Sequence, residues 1–121
     1  MDMFFIGVDV GTGSVRAALV SHTGKVLLTS VRDITIHNPR TDHYEQSSRE
    51  VWQAVVATVR YVVTAAGVRP DTVKGIGFDA TCSLVLEDKE GNALSAGEED
   101  EFDIIMWMDH RLIKWTIYSG L

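Results

Sequence analysis

Asp9, Thr12, Ser14 and Arg16 lie close together in the stretch GVDVGTGSVR, residues 7–16. An acid, two hydroxyls and a guanidinium spaced around two glycines are the parts of a site for phosphate and a divalent cation. A carboxylate repels phosphate, so the natural partner of Asp9 is Mg²⁺, held through waters. Arg16 offers a planar charged fork to a transferring phosphoryl group. Gly11 and Gly13 let the backbone turn tightly and approach a ligand.

The kind of cradle follows from what the stretch lacks. A P-loop needs Gly-Lys-Ser/Thr leading into a helix, and no lysine follows Gly13. The dinucleotide fingerprint needs a third glycine where Arg16 stands, and the residues after Gly13 alternate as a strand does. What remains is a β-hairpin whose turn amides form an anion-binding nest. An ordinary type I′ or II′ hairpin, with Asp9 and Thr12 in local turn chemistry, fits the same letters, and spacing alone leaves both readings open.

The elements that must position these residues read as follows. Phe4 to Val10 is a short apolar strand. Val15, Ala17 and Leu19 mark the inward face of a second, and Lys25 to Ile36 carries a third after the turn at Gly24. Ser47 and Glu50 have the spacing of a capping box. A helix follows to Ala66, with Trp52, Val55, Val56, Val59, Val63 and Ala66 as its apolar face. Its valines are poor helix formers, so burial must carry it. Gly67 and Pro70 end it. Val73 to Asp79 is a fourth strand, reached by a crossover that predicts parallel pairing. Leu84 to Leu86 and then Glu90-Gly91-Asn92 read as strand and turn, Ile104 to Met108 is a last short apolar run, and Glu98 to Glu101 reads as a solvated acidic loop. The fold class is α/β with a mixed sheet, and no linker marks a second domain.

Composition narrows the function classes. The chain has 121 residues, a net charge of −6 and one cysteine. An acidic balance without a basic face argues against nucleic acid as a partner. No run is long enough to span a membrane. Cys82 stands alone, which points to a reducing compartment and a cytoplasmic setting. As residue types, Cys82 reads as a small buried residue and Trp107 as a core aromatic. His22, His37, His43 and His110 lack metal-ligand spacing.

GVDVGTGSVR resembles the first phosphate motif of the actin, hexokinase and heat-shock ATPase superfamily, which is built on a ribonuclease-H-like core. YEQSSREVW (44–52), GIGFDATCSLVLEDKEGNAL (75–94) and IIMWMDHR (104–111) are similar to segments of the FGGY carbohydrate kinases. The order and spacing agree over residues 4–111. Asp79-Ala80-Thr81-Cys82-Ser83 is most similar to the ribulokinase-like branch. The resemblance implies an ATP-dependent kinase that transfers the γ-phosphoryl group to a pentulose such as ribulose, with Mg²⁺ and ATP bound. It implies Asp9 near the metal, and Gly11, Thr12, Gly13, Ser14 and Arg16 on the phosphates. Asp79, Ala80 and Thr81 would line the sugar pocket, with Cys82 close behind, and Asp109 and Arg111 would shape its wall. Asp79 also reads as a turn cap at a strand end.

Family members are longer, and their general base and adenine site lie in later segments. Residues 1–111 are therefore expected to be part of a first domain, incomplete and inactive alone, with an unpaired sheet edge and a tendency to self-associate. Residues 112–121 read as a tail foreign to the family, as in a truncated or alternatively spliced product. The rival functions are a non-catalytic regulatory or binding fragment, and a piece of an actin- or heat-shock-type ATPase.

Overall fold

The structure is a computed structural model that describes residues 2–111; the expected foreign tail lies outside them. The chain divides into two compact units, residues 1–34 with 49–81, and 35–48 with 82–121. Sequence gave no sign of this division. The chain passes from one unit to the other at 34/35, 48/49 and 81/82, each time without a linker of distinctive composition.

The first unit holds a four-stranded sheet in the order β3-β2-β1-β6. Its strands are β1 (Phe4–Val10), β2 (Ser14–Ser21), β3 (Val26–Asp33) and β6 (Val73–Ala80). β1 to β3 form the expected antiparallel meander, and β6 returns parallel to β1 after helix α1 (Ser48–Ala66). Strand alternation sends Ile6, Val8, Val15, Ala17 and Leu19 into the core, where Ile34, Ala54, Val55 and Val62 meet them. β3 stops at Asp33, short of the expected Ile36, because Ile34 turns into this core and donates its N–H to the Gly13 carbonyl at 3.0 Å.

The helix buries a face that overlaps the expected one: Val55 is buried and Val59 and Val63 pack against the core, as expected. Ala54, Val55, Thr58 and Val62 are inside, while Trp52 is 63% exposed and Ala66 is also exposed. Thr58 tolerates burial because its hydroxyl donates back to the Ala54 and Val55 carbonyls at 2.9 and 3.0 Å. The helix ends where expected. Gly67 takes φ +68°, a left-handed value that favours glycine, and donates to the Thr64 carbonyl.

The second unit contains a sheet that the sequence reading did not include, in the order β4-β5-β8-β7. Its strands are β4 (His37–Arg40), β5 (His43–Gln46), β7 (Leu84–Val85) and β8 (Ile104–Ile105). Phe102, Ile104 and Met106 form its apolar interior, with the His37 ring stacked on Phe102 at 4.0 Å. Buried Asp103 accepts the Ser48 N–H at 2.7 Å and the Ser48 hydroxyl.

Candidate active site

In the first unit the residues with chemical potential share one face of the sheet. Asp9 pairs in register with Arg16 on β2 and with Asp79 on β6. Register partners on neighbouring strands point to the same side, opposite to buried Val8 and Val15. The row Asp79–Asp9–Arg16 therefore faces a shallow concavity of about 650 Å³, floored by Gly7, Gly77 and Ala18. Arg16 Nη2 lies 2.6 Å from Asp9 Oδ2, and both side chains are about half exposed.

The turn beside this row joins two antiparallel strands, and no helix starts at Gly13. Thr12 lies within it and Ser14 opens β2. Gly11 donates its N–H to the Ser14 carbonyl at 2.9 Å. Neither Gly11 nor Gly13 has positive φ, so the turn is not the I′ or II′ type. Gly11 matters for another reason, the room that it leaves for Arg16. A Cβ there would come within 2.8 Å of Arg16 Nη2 and 3.2 Å of the Ser14 oxygen. At Gly13 a Cβ would meet nothing within 4 Å among the described residues, so there is open space beside the turn.

β6 brings the second motif to the same end of the sheet. Thr81 N–H donates to the Val10 carbonyl at 3.1 Å, which ties the end of β6 to the residue before the turn. Asp79 Oδ1 accepts the Ala80 N–H at 2.9 Å, a local cap of the kind also expected from sequence. Asp9 and Asp79 stand on strands about 4.8 Å apart. Mg²⁺ typically takes one or two carboxylates and completes its shell with waters and substrate phosphates. Asp9 fits that need, with Asp79 beside it on the neighbouring strand. Among the described residues no group of three or more His, Cys, Asp or Glu could hold a metal unaided.

The remaining expected site residues belong to the second unit. Cys82 is exposed rather than buried, and Trp107 is 54% exposed rather than core. Trp107 sits past the end of β8, outside the apolar interior, and its N–H meets Ser83 Oγ at 3.2 Å. Asp109 and Arg111 are engaged with the protein itself. Asp109 accepts the Tyr44 N–H at 2.8 Å and the Arg111 N–H at 2.9 Å. Arg111 forks onto Asp109 at 2.6 and 2.9 Å, and donates to the Ala96 carbonyl at 2.6 Å and Glu45 Oε2 at 2.9 Å. Burial pushes the Asp109 carboxyl up, but the bonds from Arg111, the Tyr44 N–H and the Arg111 charge outweigh it and hold the carboxyl below the usual value. The bond to Asp109 raises Arg111, burial works against it, and Glu45 adds to the rise.

Glu45 was not marked by its sequence context. It is 1% exposed, and among the described residues Oε1 has no hydrogen-bond partner. His37 Nε2 stands 3.9 Å from Oε1 and 3.2 Å from Glu99. A Cβ at Gly97 would lie 2.5 Å from Glu45 Oε2, so that glycine makes room for the carboxylate. The acidic run is only partly a free solvated loop, since Glu98 pairs with Arg40. Among the described residues no helix is long and apolar enough to cross a membrane.

Comparison with known proteins bears on this arrangement. An FGGY carbohydrate kinase domain-containing protein of Danio rerio is 49% identical over 111 residues, covering 89% of this chain and 20% of the relative. The D-ribulokinase of Saccharomyces cerevisiae is 44% identical over 117 residues, 93% of this chain and 16% of that protein. The chain thus spans a fifth or less of the length of these relatives. The xylulose kinase structure from Rhodospirillum rubrum superposes with a TM-score of 0.77 at 22% identity, covering 96% of this chain and 23% of that one. The fold is that of these sugar kinases, of the actin and hexokinase ATPase type. Residues 4–117 match the N-terminal domain of the FGGY carbohydrate kinases, a match that runs past Arg111 into the segment expected to be foreign. Matched over most of its length and 49% identical to a relative that carries this domain, the chain belongs to the FGGY family of carbohydrate kinases.

Proposed function

We propose that this chain supplies the phosphate hairpin and part of the sugar pocket of an ATP-dependent kinase acting on a pentulose such as ribulose. The observation that carries this reading is the in-register row Asp79–Asp9–Arg16 beside an open turn. The likeness of Asp79 to Ser83 to the ribulokinase-like branch, and the 44% identity to a D-ribulokinase, support the pentulose.

In this reading the amides of Thr12 and Gly13 and the hydroxyls of Thr12 and Ser14 hold phosphate oxygens, and Gly11 shapes the turn that presents them. Asp9 orients the metal's water shell. Arg16 faces the transferring group, where its cationic fork stabilises developing charge. Asp79, Ala80, Thr81 and Cys82 contact the sugar. Asp109 and Arg111 shape the wall by fixing the residues around them. Bound Mg²⁺ neutralises charge on the phosphate oxygens.

The test is a ¹H–¹⁵N NMR titration of the 121-residue chain with Mg·ADP. Shifts are expected at Gly11, Thr12, Gly13, Ser14 and Arg16, and should fade in Thr12→Ala/Ser14→Ala. Saturating shifts confined to other residues would contradict the reading.

A further inference from the structure

We infer that Arg16 is an internal counter-ion that occupies Asp9 until a divalent cation displaces it, so that cation binding at Asp9 is an exchange against the guanidinium. This rests on the reading that Asp9 serves a cation. Three observations lead to it. Asp9 and Asp79 are register partners on adjacent parallel strands, facing one concavity. Two like charges so placed repel, and a cation at Asp9 relieves the repulsion. The cation now present is Arg16, the register partner of Asp9 on its other side, at 2.6 Å.

The pose of Arg16 is accommodated by the backbone. Its Nη2 passes so close to Gly11 that a Cβ there would be 2.8 Å away. A glycine is thus needed where the guanidinium folds back to Asp9, beside the turn that offers its amides to phosphate. The pair is about half exposed on each side, and exposed pairs are weak. It adds little to stability and gives way easily, as an exchangeable counter-ion must. Displaced from Asp9, the guanidinium is free to turn to a phosphate arriving with the cation.

The experiment uses Mn²⁺ alone with the 121-residue chain, read by paramagnetic broadening of the amide signals of residues 8–10 and 78–80. Arg16→Met should tighten binding, but so would loss of any nearby positive charge. Gly11→Ala separates the two causes, because it keeps the charge and pushes the guanidinium off Asp9. It should tighten Mn²⁺ binding roughly two- to fivefold, the fold-change that corresponds to an exposed pair. If Gly11→Ala loses the dispersion of a folded spectrum, Arg16→Lys makes the same comparison with the charge kept and the fork removed. Tightening in Arg16→Met alone, with the charge-preserving variants at or above the wild-type dissociation constant, overturns the counter-ion role. Unchanged broadening in Asp9→Asn, or no site-specific broadening in any variant, overturns the cation reading beneath it.

Discussion

Arg111 joins three parts of the second unit: Glu45 on β5, the Ala96 carbonyl and the Asp109 carboxylate. Its side chain is 14% exposed and those of Glu45 and Asp109 are 1% exposed. Removing one partner of such a cluster leaves buried charge uncompensated. Arg111→Met is expected to cost about 3 kcal/mol, the low end for a broken buried pair, seen as a lower denaturation midpoint with unchanged slope. The pH dependence has a definite sign. Asp109 sits below its ordinary value of 3.8 when folded. Its contribution is therefore complete above 3.8 and is lost as pH falls through the folded-state value. In an acid titration followed by circular dichroism, wild type should lose stability more steeply below that point than Asp109→Asn. Parallel curves would refute the assignment.

At the scale of elements, the helix gives the clearest test of the packing. Leu19 is fully buried under α1, and Leu19→Ala should destabilise by about 2–5 kcal/mol. Trp52→Ser should stay within about 0.5 kcal/mol, as exposed substitutions do. Equal losses would restore the face that the sequence suggested. That face was partly misread for an identifiable reason. Val55, Val59 and Val63 pack on the core as their spacing suggests, but Trp52 and Ala66 stay exposed, and small Ala54 and self-bonded Thr58 are buried instead. Periodicity sees hydrophobicity and misses a buried threonine whose hydroxyl is satisfied locally.

The meander, the parallel return of β6 and the end of α1 at Gly67 were all legible, because alternation and turn glycines write them into the chain. β4 and β5 were not. HNPR and HYEQ are polar, and each strand pairs over only a few residues. The phosphate hairpin was legible from residue types. The Asp9–Arg16 contact needed the register, and Glu45 was hidden because nothing in YEQ signals a buried carboxylate.

At the scale of the molecule, β6 is an edge of its sheet, and Ile76 and Phe78 on it are 49% and 60% exposed. Unpaired edges with exposed apolar side chains invite pairing with another chain. The 121-residue chain is expected to self-associate with rising concentration in sedimentation velocity, and Ile76→Lys to reduce this. A strictly monomeric wild type across the millimolar range would remove that expectation.

The central claim, that these residues serve as the phosphate and cation end of a sugar kinase, is tested most directly by exchange. Residues 4–117 replace the matched segment of the Saccharomyces cerevisiae D-ribulokinase, and ADP formation is measured with D-ribulose and Mg·ATP. The chimaera should turn over within about tenfold of its parent, a difference of about 1.4 kcal/mol in the barrier. Asp9→Ala in that chimaera should lower kcat by about 10²–10³, as loss of one electrostatic element does. The 121-residue chain alone should show no turnover near the roughly 1–100 s⁻¹ of kinases. A folded chimaera that forms no ADP, or one in which Asp9→Ala changes nothing, would contradict the claim.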